Sequence, residues 1–251
     1  MTALSYINHK GGTHSHELSS LAVQIWTWCL AKHMTLSAEY LPGVLNTVAD
    51  KLSRIFNDRT EWHLLPEIFR KVTQVMGVCP SIDLFASRLN TQLPQFVSWL
   101  PDPLAWRVDA FTINWENLEA YLFPPFSLLA RCLQKILADE ATVLLIAPVW
   151  KTQPWYPRLL ELAVKTPVLL PRQLELLRLC HNNQNHPMWK TLQLAAWKLS
   201  GNPYQQEVFR SKCPPSSYHP GAVALMPSSI QHGTDGAAGV FNDRLILFEH
   251  L

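Results

Sequence analysis

Between Gly77 and Gly201 the chain contains no glycine, although nine occur in its 251 residues. Glycine lets a backbone approach a phosphate closely or turn through positive φ, so phosphate-binding loops and dinucleotide fingerprints depend on it. Sites of those types are therefore excluded from residues 78–200. The same stretch has a clear element order. Residues 81–89 (SIDLFASRL) read as a short helix or a strand-to-helix turn, 95–99 (QFVSW) as a strand, and 120–123 (AYLF) as another. Leu129, Cys132, Leu133, Ile136 and Leu137 then share one face of a helix that Ser127 is placed to cap. Residues 142–149 (TVLLIAPV) form a continuous apolar run of strand length, the pattern of a strand buried on both faces of a parallel sheet. Strand, Pro-Pro-aromatic, helix and buried strand make a βαβ unit, with its chemistry expected at the strand's C-terminal end.

The N-terminal region reads as strand, helix, strand, helix. Residues 2–7 (TALSYI) give a short apolar strand and an opening that looks cut in mid-strand. A polar turn carrying His9, His14 and His16 follows; its histidines read as solvated or phosphate-facing rather than as a metal cluster. Leu18, Leu21, Ala22, Ile25, Trp28 and Cys29 keep helical spacing, with Ser15 as N-cap and Glu17 in the first turn. Residues 36–41 predict a second strand and 46–55 a second helix. An amphipathic helix broken at Pro66 leads to Gly77. Two helical stretches, 172–180 and 188–199, precede a segment holding five of the nine glycines and five prolines, read as a disordered linker or tail.

Composition narrows the partners. A net charge of +2 rules out a polybasic arm but not a local basic groove. Five scattered cysteines without a CxxC pair argue against a disulfide framework or zinc ribbon and for a reducing compartment, cytoplasmic or nuclear rather than secreted. No apolar run approaches the ~18 residues of a membrane span. Trp99, Trp106, Trp115, Trp150 and Trp155 have Arg88, Arg107, Lys151 and Arg158 nearby in sequence, and interleaved aromatics and cations suit single-stranded nucleic acid.

Two stretches resemble known families. Residues 2–15 (TALSYINHKGGTHS), with Pro42, Gly43, Asn46 and the run Ala49, Asp50, Lys51, Leu52, Ser53, Arg54, resemble the second half of a ribonuclease H domain in DIRS-type (tyrosine-recombinase) retrotransposon polyproteins. Ribonuclease H chemistry needs three or four carboxylates on two divalent metals. Asp50 alone falls on a family catalytic position, and Tyr40 stands where many relatives carry histidine. The resemblance thus implies magnesium binding at Asp50 only in a complete domain, and inactivity here. It also implies nucleic-acid contacts at Lys10, Gly11, Gly12, Thr13, Ser15 and Arg54.

Residues 80–171 resemble the Dam-type adenine-methyltransferase-like module of the same polyproteins. The resemblance rests on Asp83, Leu84 and Phe85 with Asn90, on Asp109, Ala110 and Phe111 with Trp115, and on Phe123, Pro124, Pro125 and Phe126. In those enzymes the tetrapeptide opens with Asn or Asp, which accepts a hydrogen bond from the target amine, and its last aromatic stacks on a flipped-out base. Phe123 accepts nothing, and losing one positioned polar contact commonly costs ~10²–10³ in rate. Pro124, Pro125 and Phe126 remain a possible base-stacking platform.

The expected organisation is α/β: a truncated ribonuclease H-like region (1–57), a linker helix (58–78), a methyltransferase-like α/β module (79–171), a helical extension (172–200) and a disordered tail (201–251). The expected function is a catalytically inactive retrotransposon-derived fragment with residual nucleic-acid binding, to an RNA–DNA hybrid or a single strand. The upstream reverse-transcriptase portion of the polyprotein is a second expected partner, and no membrane is. S-adenosylmethionine is the cofactor of the alternative, an adenine methyltransferase; a structural relic is the third reading.

Overall fold

The computed structural model describes residues 2–10, 15–40, 42, 62–180, 184–216 and 236–251, in two units, Met1–Asn57 and Asp58–Leu251. In the first unit α1 (Thr2–Asn8) and α2 (His16–Ala31) pack as a helical pair. Ser15 caps α2 by accepting from the Leu18 N–H, as its position predicts. Tyr6 Oη accepts from the Ser15 N–H at 2.8 Å, and Trp26 Nε1 donates to the Ile7 carbonyl at 2.9 Å. The strand expected over residues 2–7 is instead helical. Alanine and leucine there are strong helix formers, and the left-handed φ of 56° at Lys10 follows the helix directly. Residues 36–40 form neither strand nor helix, although Ala38 is pinned by both side-chain atoms of Asn8. A helix stands where the ribonuclease H resemblance implies a strand, so this fold lends that half of the resemblance no support. The helix expected over 46–55 lies outside the described residues.

The second unit is mixed α/β. A ladder of β1 (Trp62–Leu64) and β8 (Leu177–Leu179) flanks α3 (Pro66–Met76). Pro66 occupies the first turn of α3, so it starts this helix rather than breaking it, and Gly77 closes it at φ 59°. The main sheet contains β2 (Ile82–Asp83), β3 (Gln95–Ser98), β4 (Arg107–Val108), β5 (Ala120–Leu122), β6 (Thr142–Pro148), β7 (Val168–Leu169), β9 (Leu194–Ser200) and β12 (Glu249–His250). Their order is β4-β3-β2-β5-β6-β9-β7-β12, parallel throughout except for β9, which runs against both neighbours.

Alternate residues feed two cores, one on each face of the sheet. Tyr121, Leu144, Ile146 and Ala196 meet Ile68, Phe69, Val72 and Met76 of α3. Leu122, Val143, Leu145, Ala147 and Trp197 meet α4 (Leu129–Ala138) and α5 (Tyr156–Leu162) on the other face. A sheet covered on both sides explains the unbroken apolar run of β6. The cap expected from Ser127 is absent: a 3-10 turn, Phe126–Leu128, leads into α4 without a side-chain cap.

The region beyond residue 171 departs most from its sequence reading. The stretches expected to be helical, 172–180 and 188–199, hold no helix: Leu177–Leu179 form β8, and Leu194–Ser200 (LAAWKLS) form β9, buried at every position but Lys198. A strand covered on both faces shows no two-residue period, and tertiary pairing with β6 and β7 overrides the helical propensity of alanine, leucine and lysine. The described part of the supposedly disordered tail is structured. Asn202 caps α6 (Pro203–Lys212), and β10 (Ala237–Phe241) turns through Asn242 and Asp243, at φ 46° and 58°, into β11 (Arg244–Leu247). Pro203 opens α6, Gly201 and Gly239 stand where the chain packs too closely for a side chain, and β12 adds a strand to the main sheet beside β7. Among the described residues no helix is long and apolar enough to cross a membrane.

Candidate functional site

From β2 the chain winds one way through β3 and β4, then returns to the other side of β2 to build β5 and β6. The loops leaving β2 and β5 therefore diverge, and a crevice opens at the C-terminal ends of these strands. Open α/β sheets bind ligands at such a switch point. A cavity of about 780 Å³ occupies it, well within the range of small-molecule sites. Leu84–Ala86 follow β2, Trp99 follows β3, Asp109–Phe111 follow β4 and Phe123–Leu128 follow β5; all line the cavity, with Arg131 from α4 and Trp62 and His186 beside the β1–β8 ladder.

The walls are aromatic. Phe126 meets Trp150 edge-on at 5.2 Å between ring centres and Phe123 at 6.3 Å, while Trp62 and His186 meet at 4.5 Å. Phe85 stands at 5.4 Å from Phe111, and the Arg131 guanidinium lies 3.8 Å from the centre of the Phe111 ring. Proline rings restrict the backbone here, and Pro125, extended at φ −50° and ψ 135°, leads into the 3-10 turn that begins with Phe126 at the cavity.

Buried polar groups hold the loops. Asp83 is the last residue of β2 and almost wholly buried; one carboxylate oxygen accepts from the Phe85 N–H at 3.3 Å, the other from the Gln92 N–H at 3.1 Å. Burial pushes its carboxyl up to about 7 despite those two bonds. Tyr121 Oη, also buried, finds no partner among the described residues, and its phenol is pushed up by burial and by the charge of Asp83. Asn90 clasps the same loop through its Oδ1, which accepts from the Ser87 N–H at 2.6 Å. Just past β4, Asp109 has a strained φ of 58°, its carboxylate accepting from the Phe111 N–H at 3.0 Å. The fully buried Trp115 supports that turn by donating to the Ala110 carbonyl at 2.8 Å. Burial lowers the His186 imidazole, favouring the neutral ring in which Nδ1 accepts from the Met188 N–H.

No protein-family model matches the chain, and no curated protein is significantly similar to it. The site therefore rests on its own geometry.

Of the residues singled out in the sequence, Phe123, Pro124, Pro125 and Phe126 all line the cavity. Lys10 lies over the Trp26 ring at 5.5 Å and Ser15 caps α2, both within the first unit. Gly11, Gly12, Thr13, Asp50 and Arg54 lie outside the described residues. Among the described residues no three metal-ligating side chains converge. Sequence reasoning missed Trp62, Arg131 and His186 as cavity residues. Arg131 was open to inference, because it lies on the helix that follows the Pro-Pro-aromatic turn. Trp62 and His186 meet only through long-range pairing and leave no local signal.

Proposed function

We propose that the second unit is a nucleic-acid-binding module of a DIRS-type retrotransposon polyprotein, and that it holds an unpaired base in the switch-point cleft without turning it over. The observation that carries this is the half-buried Phe126, presented at the cleft by Pro124 and Pro125 beside the ring-stacked guanidinium of Arg131. A base has a π face for the ring, and a phosphate has charge for the guanidinium. Phe123 supplies no acceptor for a target amine, which argues for holding over methyl transfer.

The test is fluorescence anisotropy with labelled oligothymidylate across a salt series. Phe126→Ala should weaken binding by about 1–3 kcal/mol, the worth of one stacked base, and log affinity should fall with log salt. No retention at micromolar protein, or a flat salt profile, rejects the reading.

One observation favours a second reading. The cleft's position and volume suit a nucleotide-sized cofactor, so S-adenosylmethionine, which would supply a methyl group, fits the space. Its amine-positioning counterpart does not fit, because phenyl replaces amide or acid at Phe123. Calorimetry at millimolar S-adenosylmethionine separates the readings: absence of heat ends the methyltransferase, and saturable heat with methyl label on adenine ends simple binding.

A further inference from the structure

Beside the cleft the surface is unusually apolar for an exposed loop. Trp99 is 62% exposed and lines the cleft, and beyond it Leu104 is 68% and Trp106 40% exposed. We propose that Trp99, Trp106 and Arg107 form a stacking ridge that carries a single nucleic-acid strand onward from the cleft. This extends the base-binding reading above and rests on it.

Three observations fix the occupant. First, the ridge adjoins the cleft at Trp99, which lines it, and the β3–β4 ladder sets Trp106 level with Phe96 on the strand that leads to Trp99. Second, the cation of the ridge and that of the cleft are available to phosphate. The Arg107 guanidinium lies 5.1 Å from the centre of the Trp106 ring, and neither it nor Arg131 forms an ion pair with a carboxylate among the described residues. The nearby acid Asp102 is already paired with Arg88 at 3.6 Å. Third, the loop is held before any ligand arrives. Asp102 accepts from the Leu104 N–H at 2.9 Å, the Trp106 N–H donates to the Phe96 carbonyl at 2.9 Å, and the Asp109 N–H donates to the Ser98 carbonyl at 2.8 Å. Preorganised rings lose little freedom on stacking.

An added peptide strand fits this edge less well. β4 is only two residues long, and Pro101 and Pro103 lie in the loop before it; both features blunt an edge against pairing. A ring beside an unpaired guanidinium matches the alternation of base and phosphate along a strand.

The experiment measures anisotropy of labelled oligothymidylates of about four and about twelve nucleotides on the full chain, a span covering the usual site sizes. Trp106→Ala should weaken the longer oligonucleotide roughly tenfold and leave the shorter one within about twofold, whereas Phe126→Ala weakens both. Trp106→Phe should restore most of the loss. Arg107→Gln, which leaves the ring in place, should make the salt dependence shallower by about 0.7 in log–log slope. If Trp106→Ala and Arg107→Gln bind the longer oligonucleotide like the parent while Phe126→Ala does not, the ridge is refuted and the cleft stands. If the parent protein binds neither oligonucleotide, both fall. If Trp106→Ala leaves nucleic-acid affinity unchanged but abolishes self-association in sedimentation, the ridge is a protein contact and the proposal is overturned.

Discussion

Replacing Asp83 with asparagine should reverse its effect on stability between mildly acidic and mildly alkaline solution. In the folded chain this carboxyl keeps its proton up to about pH 7, because burial opposes the charge, while the unfolded chain releases it near the ordinary 3.8. Between those values the native state binds more protons than the unfolded one, so stability falls as pH rises. Its contribution is harmless below the unfolded value and fully unfavourable above about pH 7. The displacement corresponds to about 4 kcal/mol. Asparagine carries no charge, but it has one acceptor oxygen where Asp83 uses two, for the Phe85 and Gln92 N–H groups. That loss costs about 1 kcal/mol. Asp83→Asn is therefore expected to be about 1 kcal/mol less stable than the parent at pH 4 and about 3 kcal/mol more stable at pH 8. Urea unfolding followed by tryptophan fluorescence at several pH values measures this, and the difference between the two proteins removes groups common to both. A difference that does not change with pH would show that the carboxyl titrates normally, and the account of a costly buried acid under the cleft would be wrong.

Tyr121→Phe removes a buried hydroxyl that has no partner among the described residues, in a shape the core already accommodates, so denaturant unfolding should show a gain of about 1 kcal/mol. Gly201→Ala would drive a methyl against the backbone carbonyl of Ile136 and to 2.7 Å from Cα of Glu140, so a thermal melt should show a loss of about 3 kcal/mol or failure to fold.

What the chain discloses in advance follows from how local each signal is. The run 142–149 announces β6 because a strand covered on both faces favours apolar side chains at nearly every position, and the stripe from Leu129 to Ile136 announces α4 because one face alone is buried. Ser15 and its acidic follower mark the start of α2. β9 is also covered on both faces, yet its alanines and leucines equally suit a helix, and only pairing with β6 and β7 decides the matter. At the cleft, the Pro-Pro turn is legible because it is contiguous, while Trp62 and His186 come from segments far apart in sequence. Asn202 and the Asn242-Asp243 turn were readable as cap and hairpin signals, but glycine and proline content around them pointed to a linker.

The position of β9 constrains the order of assembly. It lies between β6 and β7, though both precede it in the chain, so β7 has no neighbour to pair with until β9 arrives. Until then β6, apolar from Val143 to Pro148, presents an open edge, which invites pairing with another molecule. Closure across such a sequence separation is slow. The refolding yield of this protein should therefore drop steeply with concentration, and the segment spanning residues 194–200, offered as a free peptide, should compete for the vacant place.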